Sequence, residues 1–131
     1  MSLNVLVVDD SAIIRKMIIK TLGLSGLDIG EIHQAANGQE GLDTLEDQWV
    51  DIVFADLNMP VMDGEVMIDH LRMTDAWSDM AVVVVSTEGS ETRIRRLKEK
   101  GVAFIHKPFT PEAIRDVANN MLGLCHERTA V

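Results

Sequence analysis

Acidic residues, a hydroxyl residue and a lysine lie at the ends of apolar runs of the chain. In chain order they are Asp9, Asp10, Asp56, Ser86 and Lys107. If these runs are neighbouring strands, the three carboxylates crowd together, and two unit charges about 4 Å apart repel by about 4 kcal/mol at an effective dielectric of about 20. A divalent cation and the Lys107 ammonium group could offset this repulsion. Hard oxygen ligands favour Mg²⁺, with Mn²⁺ as an alternative. Mg²⁺ keeps some of its waters in protein sites, which leaves room for a phosphoryl oxygen.

Each of these residues alone has an ordinary structural explanation. An Asp-Asp pair after a strand is commonly a polar turn and helix cap, and a single Asp at a strand end is commonly a turn residue. A lone lysine is usually solvated, and a buried serine hydroxyl often bonds to backbone. The case for a common site rests on their joint occurrence at four strand ends.

Five apolar runs alternate with five segments of helical periodicity, and this order would position the candidate residues. The runs predict buried strands, the second of them the weakest, at Val5–Val8, Ile29–Ala36, Ile52–Ala55, Ala81–Val85 and Ala103–Ile105. Helices are predicted after the cap residue Ser11, over Gly38–Gln48, Gly64–Arg72 and Ser90–Lys100, and from Thr110-Pro111 onward. The first helix has Ile14, Met17, Ile18 and Leu22 on one face.

Repeated strand-then-helix order predicts an α/β fold with a doubly wound, five-stranded parallel sheet and helices on both faces. Ligands of such sheets bind at the carboxyl ends of the strands, where the strand order reverses. We expect one domain over residues 1–131, with a core of about 4–122 and a polar tail at 123–131, and no output domain.

Composition narrows the function further. The chain has 131 residues, 47% hydrophobic and 25% charged, as in ordinary globular proteins. Its longest strongly apolar run, Ala81–Val85, is far shorter than the ~20 residues of a membrane span, so no membrane insertion is expected. The net charge of −9 argues against binding nucleic acid. The single cysteine, Cys125, favours a reducing, cytoplasmic setting.

Basic residues cluster despite the acidic balance. Six of the twelve fall within fifteen positions, namely Arg93, Arg95, Arg96, Lys98, Lys100 and Lys107. Such a run is commonly a solvated helix face. It is also the chemistry of a docking surface for an acidic partner, and both interpretations stay open at this point.

Four stretches of the chain resemble the receiver domain of two-component response regulators, specifically the CheY-like, single-domain kind. They are VLVVDDS (5–11), ADLNMPVMDG (55–64), VVVVSTEGS (82–90) and HKPFTPEAI (106–114). The resemblance covers residues 4–122. It implies the flavodoxin-like strand order 2-1-3-4-5, for which this family is itself a standard example.

The resemblance implies roles for the acidic residues. Asp56 matches the phosphoacceptor, whose carboxylate attacks phosphorus and becomes an acyl phosphate. Asp10 matches a direct ligand of Mg²⁺, and Asp9 assists the coordination or orders water around the metal. Asn58 matches the position whose backbone carbonyl completes the metal site.

The resemblance also implies roles for residues around the phosphoryl group. Lys107 pairs with Asp56 and then with the phosphoryl oxygens, and the Lys107-Pro108 bond is commonly cis in this family. Ser86 is a switch hydroxyl that bonds the phosphoryl group. Phe104 matches an aromatic switch position where Tyr is frequent, although core packing is its alternative role. Asn58 and Glu88 border the path of the attacking water and would tune hydrolysis, unless they are merely solvated.

The implied partners are a histidine kinase or phosphotransfer protein as donor, or a small phosphodonor, and a separate downstream protein. Phosphorylation would switch the face formed by the fourth helix, fifth strand and fifth helix. Its predicted contact residues are Arg93, Ile94, Arg96, Leu97, Phe104 and Phe109. In this role the protein is a phosphoacceptor that assists its own phosphorylation and dephosphorylation, and it is no conventional turnover enzyme.

Two other functions fit the same fold. A phosphorylation-independent docking domain would be favoured by an incomplete acidic and lysine set, whereas this chain has the full set. Aspartyl-phosphate phosphatases typically place a second Asp two residues after the nucleophile as the acid and base. That position is Asn58 here, which cannot serve in that way.

Overall fold

The computed structural model describes residues 2–123 and contains one five-stranded parallel sheet. The strands are β1 Leu3–Val8, β2 Ile29–Ala35, β3 Ile52–Ala55, β4 Ala81–Ser86 and β5 Ala103–His106. Their order is β2-β1-β3-β4-β5, so the predicted fold class and strand order are confirmed. Residues 124–131 of the predicted tail, Cys125 among them, lie outside the described residues.

Five α-helices follow the strands in turn. They are α1 Ala12–Gly23, α2 Gly38–Asp47, α3 Gly64–Arg72, α4 Glu91–Glu99 and α5 Pro111–Leu122. Each begins after a residue whose side chain accepts a hydrogen bond from a backbone N–H of the first turn, namely Ser11, Asn37, Asp63, Ser90 and Thr110. These caps fix where each helix starts and therefore shape the loops at the carboxyl edge of the sheet.

The sheet separates two apolar cores, because alternate residues of each strand point to opposite faces. Leu6 and Val8 of β1 join the core under α2, α3 and α4. Val5 and Val7 join the core under α1 and α5. β3 is buried along its whole length, since it lies in the middle of the sheet between both layers.

The elements differ from the sequence predictions in small ways. Met17 is 51% exposed, so only Ile18 and Leu22 of the predicted α1 face are fully buried. A short 3₁₀ helix at Asp75–Trp77 was not predicted, since three residues are too few to show periodicity. No helix in residues 2–123 has the length and hydropathy that a membrane span requires.

Candidate functional site

The carboxyl edge of the sheet brings three of the predicted acidic residues together. One carboxylate oxygen each from Asp9, Asp10 and Asp56 lies within 4.8 Å of the others. The Lys107 Nζ lies 3.6 Å from Asp9 Oδ2 and 3.8 Å from Asp56 Oδ1. Three anions and one cation from the ends of three strands therefore share one site.

Backbone hydrogen bonds that continue the sheet hold these side chains in place. Asp9 N–H donates to the carbonyl of Ala35, and Asp56 N–H donates to that of Val8, each at 3.0 Å. Lys107 N–H donates in the same way to the Ser86 carbonyl at 2.9 Å. The Lys107–Pro108 peptide bond is cis. The positions of the candidate site residues are thus set by strand pairing.

Burial and charge act against each other at the two inner carboxylates. Asp9 is only 2% exposed, and desolvation raises its pKa even though the Ser11 N–H and the Lys107 ammonium group oppose the shift. Desolvation also raises the pKa of Asp56, where Lys107 opposes the shift and the charge of Asp9 adds to it. The site is therefore short of positive charge when both groups are ionised.

The donor set fits a hard divalent cation. Asp9 Oδ1 accepts a hydrogen bond from the Ser11 N–H at 2.9 Å, whereas the buried Asp9 Oδ2 has no hydrogen-bond donor within residues 2–123. Its neighbouring charge is the Lys107 ammonium group at 3.6 Å. Carboxylate oxygens are ligands that hard cations such as Mg²⁺ prefer, and a bound cation would satisfy the buried Asp9 oxygen.

Ser86 and Glu88 lie beside the carboxylates but make different contacts. Ser86 is buried at the end of β4, where its Oγ accepts a hydrogen bond from the Glu88 N–H at 3.1 Å. The Glu88 carboxylate instead accepts from the Ser90 N–H at 3.0 Å and from Arg93 Nη1 at 2.8 Å, and these bonds lower its pKa. The Ser86 hydroxyl can still donate its own hydrogen, while the Glu88 carboxylate is engaged by the start of α4.

The loop after Asp56 folds back tightly on it. Asn58 is exposed at the start of this loop, and Gly64 N–H closes it by donating to the Leu57 carbonyl at 2.9 Å. A Cβ atom on Gly64 would collide with the Asp56 carbonyl oxygen, so this approach requires glycine. Val61 adopts a φ of 69°, an uncommon conformation for a β-branched residue.

Phe104 lies on the face of the sheet covered by α4, one residue pair further from the carboxyl edge than the site. It pairs in register with Val84, and the next pair on that face is Ser86 with His106. Its half-buried ring packs on the core beneath α4 and meets the His106 ring edge-on, with 4.8 Å between centroids. This ring contact could not be predicted from the sequence, because it depends on the direction in which the exposed His106 side chain points.

Two residues of the predicted partner face lie away from the outer side of α4. Leu97 is 0% exposed, because it is the residue through which α4 packs on the core, and it cannot contact a partner. Phe109 lines a cleft with Ile14 and Met17 of α1, on the other side of the sheet. Ile94 is half-buried and remains on the outer side of α4.

Besides Lys107, three of the clustered basic residues are paired within the chain. Arg96 binds both carboxylate oxygens of Glu65, at 2.8 and 3.0 Å, and Lys100 Nζ lies 3.2 Å from the same group and 2.6 Å from Asp69. Arg93 contacts Glu65 at 3.7 Å in addition to its contact with Glu88. The pKa of Glu65 falls to about 2, mainly through the Arg96 hydrogen bonds. Glu65 of α3 thus anchors α4, and sequence reasoning missed it because the two helices are distant in the chain.

Comparison with known proteins agrees with this geometry. The family model described as the response regulator receiver domain matches residues 5–119. A chemotaxis protein CheY homolog of Campylobacter jejuni is 33% identical over 92% of this chain and 93% of its own length. Chemotaxis protein CheY1 of Helicobacter pylori is 30% identical, with 92% and 98% covered. The structure of chemotaxis response regulator CheY4 of Vibrio cholerae aligns with a TM-score of 0.80 at 32% identity, covering 93% of this chain and all of that one.

The chain belongs to the response regulator receiver domain family, and its structure is CheY-like. Members of this family act in two-component signalling as phosphoacceptors, receive a phosphoryl group from kinases and act on downstream targets. Receiver domains generally bind Mg²⁺ at an acidic pocket, and the cluster of Asp9, Asp10 and Asp56 is such a pocket.

Proposed function

We propose that the protein is a response regulator that accepts a phosphoryl group on Asp56 in the presence of Mg²⁺. The observation that supports this most strongly is the Lys107 ammonium group, which lies within 4 Å of both Asp9 and Asp56 beside three clustered carboxylates. Asp9, Asp10 and Asp56, with the backbone carbonyl of Asn58, would hold the Mg²⁺, for which Mn²⁺ could substitute. The donor is a histidine kinase, a phosphotransfer protein or a small phosphodonor.

The proposed reaction is an in-line phosphoryl transfer. An oxygen of Asp56 attacks phosphorus, a new O–P bond forms, and the bond from phosphorus to the donor breaks with its electron pair left on the donor. A bound divalent cation supplies positive charge that neutralises the phosphoryl oxygens. Lys107 then shifts its charge from the carboxylates to the new phosphoryl group, and the Ser86 hydroxyl donates a hydrogen bond to it. The roles of Asn58 and Glu88 are to border the path of the water that later hydrolyses the acyl phosphate.

The proposed output is a change of the α4–β5–α5 face. The new charge at Asp56 draws the Ser86 hydroxyl towards it, and Phe104, on the same side of the sheet, responds by turning inward. A separate partner protein then contacts Arg93, Ile94, Arg96 and Phe104. Leu97 and Phe109 are left out of this surface because of where their side chains lie.

Intact-mass spectrometry after incubation with acetyl phosphate and Mg²⁺ tests this proposal. We expect one phosphoryl group on the wild-type protein, none on Asp56→Asn, and normal labelling of the control Asp116→Asn, whose residue is exposed on α5. Labelling should stop when Mg²⁺ is removed with a chelator. A phosphoryl group that persists on Asp56→Asn, or labelling that ignores Mg²⁺, would contradict the assignment.

A further inference from the structure

A cleft that contains both tryptophans of the chain lies at the opposite edge of the sheet from the carboxylates. It measures about 170 Å³ and lies between the end of α2 and the segment before β4. The residues that line it are Leu45, Gln48, Trp49, Val50, Ala76, Trp77 and Met80. The residues of its walls come before β3 and β4 in the chain, whereas Asp56 follows β3 and Ser86 ends β4. The length of β3 alone, four residues at about 3.3 Å each, separates the cleft from Asp56 by about 13 Å.

Trp49 is held in place although it is open to solvent. It is 75% exposed, yet its Nε1 donates a hydrogen bond to Asp51 Oδ1 at 3.2 Å. The other Asp51 oxygen accepts from the Asn4 N–H at 2.8 Å, which ties this carboxylate to the start of β1. A fixed, exposed indole loses little entropy on binding and offers a large apolar area, and tryptophan is enriched among the residues that dominate binding energy.

The surroundings of the cleft are strongly acidic. Residues 45–51 and 75–80, which include every lining residue, carry five acidic side chains and no basic one. Arg72, the last residue of α3, donates hydrogen bonds to backbone carbonyls before β4 and after α4, and of the acids at the rim it interacts with Asp79, whose charge opposes the lowering of the Arg72 pKa by burial. The exposed acids next to the lining residues are Glu46 and Asp47 on α2 and Asp75 and Asp79 beside Trp77. Glu46, Asp47 and Asp75 have no basic side chain within 4.0 Å in the described part of the chain.

We propose that this cleft is a docking site for a basic amphipathic segment of another protein. The segment packs an apolar side chain against Trp49 and Trp77, and its lysines or arginines face the acidic rim. A cation above the exposed indole adds a cation–π contact. Docking here is independent of phosphorylation, so it goes beyond the proposed function. A second copy of the chain is a poor occupant, because two molecules of net charge −9 repel each other.

Fluorescence anisotropy of labelled peptides tests the site on the unphosphorylated protein. The probe is a short helical peptide of leucine and lysine at amphipathic spacing, and two further peptides replace every leucine by serine or every lysine by glutamate. We expect saturable binding of the leucine–lysine peptide only, with a shift of the tryptophan emission. Glu46→Lys/Asp47→Lys should weaken that binding about tenfold at low salt, and Trp49→Ala should weaken it by a similar factor.

The matched control is Glu112→Lys/Asp116→Lys, which changes the net charge equally but lies on α5, across the sheet. We expect its affinity to stay within about twofold of wild type, with all variants folded by circular dichroism. Equal weakening in this control, or equal binding of the serine peptide, would show general attraction to an acidic protein and overturn the proposal. It would also fail if no peptide bound, or if sedimentation showed a dimer of the wild type that Trp49→Ala abolishes.

Discussion

The described part of the chain places too few hydrogen-bond donors and cations around the Asp9 carboxylate to satisfy a negative charge. This carboxylate is buried, and one of its oxygens has no hydrogen-bond donor among residues 2–123. The Lys107 ammonium group lies near the carboxylates of both Asp9 and Asp56. Burial raises the pKa of both carboxyl groups, which means that the ionised cluster opposes folding at neutral pH. The placement of Asp9 and Asp56 suits the proposed reaction, and it lowers the local stability of the fold.

We predict that Asp9→Asn stabilises the metal-free protein by about 1–3 kcal/mol, because the substitution removes an unsatisfied buried charge. The Ser11 N–H can keep its bond to the asparagine oxygen, so the geometry is preserved. Urea unfolding at neutral pH measures the change. Mg²⁺ should stabilise wild type more than the variant, and Asp116→Asn should behave like wild type. A variant less stable than wild type without Mg²⁺ would contradict this account.

The sequence was a good guide to residues whose position follows from a strand end. Asp56 and Lys107 are found where apolar runs stop, and parallel strands bring such ends together whatever the side chains do. The contacts of Glu88 and Phe104 could not be predicted in the same way. They depend on which way a side chain turns, towards Arg93 in one case and towards His106 in the other.

At the scale of elements, α4 is attached to its surroundings on two sides. Leu97 fixes it to the core, and Arg96 and Lys100 fix it to Glu65 of α3. Helix positions were predictable from periodicity and from capping residues such as Thr110. The attachment of α4 to α3 was not predictable, because the residues involved are more than thirty positions apart and no local pattern links α3 to α4.

We predict that Glu65→Gln lowers the free energy of unfolding by about 1 kcal/mol at neutral pH, a value that allows for solvent screening of the network. The folded-state pKa of Glu65 is about 2 against an ordinary 4.5, so its contribution is complete above pH 4.5 and is lost as the pH falls towards 2. Chemical unfolding at a series of pH values measures this.

The difference between wild type and Glu65→Gln should therefore shrink on acidification. Glu99→Gln, at the exposed end of α4, the helix that Glu65 contacts, is the matched control and should change little. A difference between Glu65→Gln and wild type that is constant with pH would indicate a packing effect instead of a charge effect.

At the scale of the whole molecule, one sheet supports two cores and two separate surfaces. Its carboxyl edge presents the acidic site, and its amino edge presents the tryptophan cleft. The strand residues connect these parts, since every buried side chain of β3 belongs to one core or the other. Phe54 is the largest side chain among those that are fully buried.

We predict that Phe54→Ala lowers the free energy of unfolding by about 3–5 kcal/mol, since it leaves a cavity against the middle strand. Met73→Ala, at a residue that is 86% exposed, should change it by less than about 0.5 kcal/mol. Urea denaturation measures both variants. A loss below about 1 kcal/mol for Phe54→Ala would mean that the core beneath α1 and α5 repacks freely.

Gly64 gives the molecule a second essential position with no chemistry of its own. It lies eight places beyond Asp56 in the chain, yet its backbone fits against the carbonyl of that aspartate so closely that any larger residue must displace the backbone of the proposed phosphoacceptor. A survey of inactivating substitutions would therefore flag this glycine as if it reacted. Intolerance to mutation at Gly64 reflects the lack of space for a side chain, and it should not be taken as a sign of a further catalytic group.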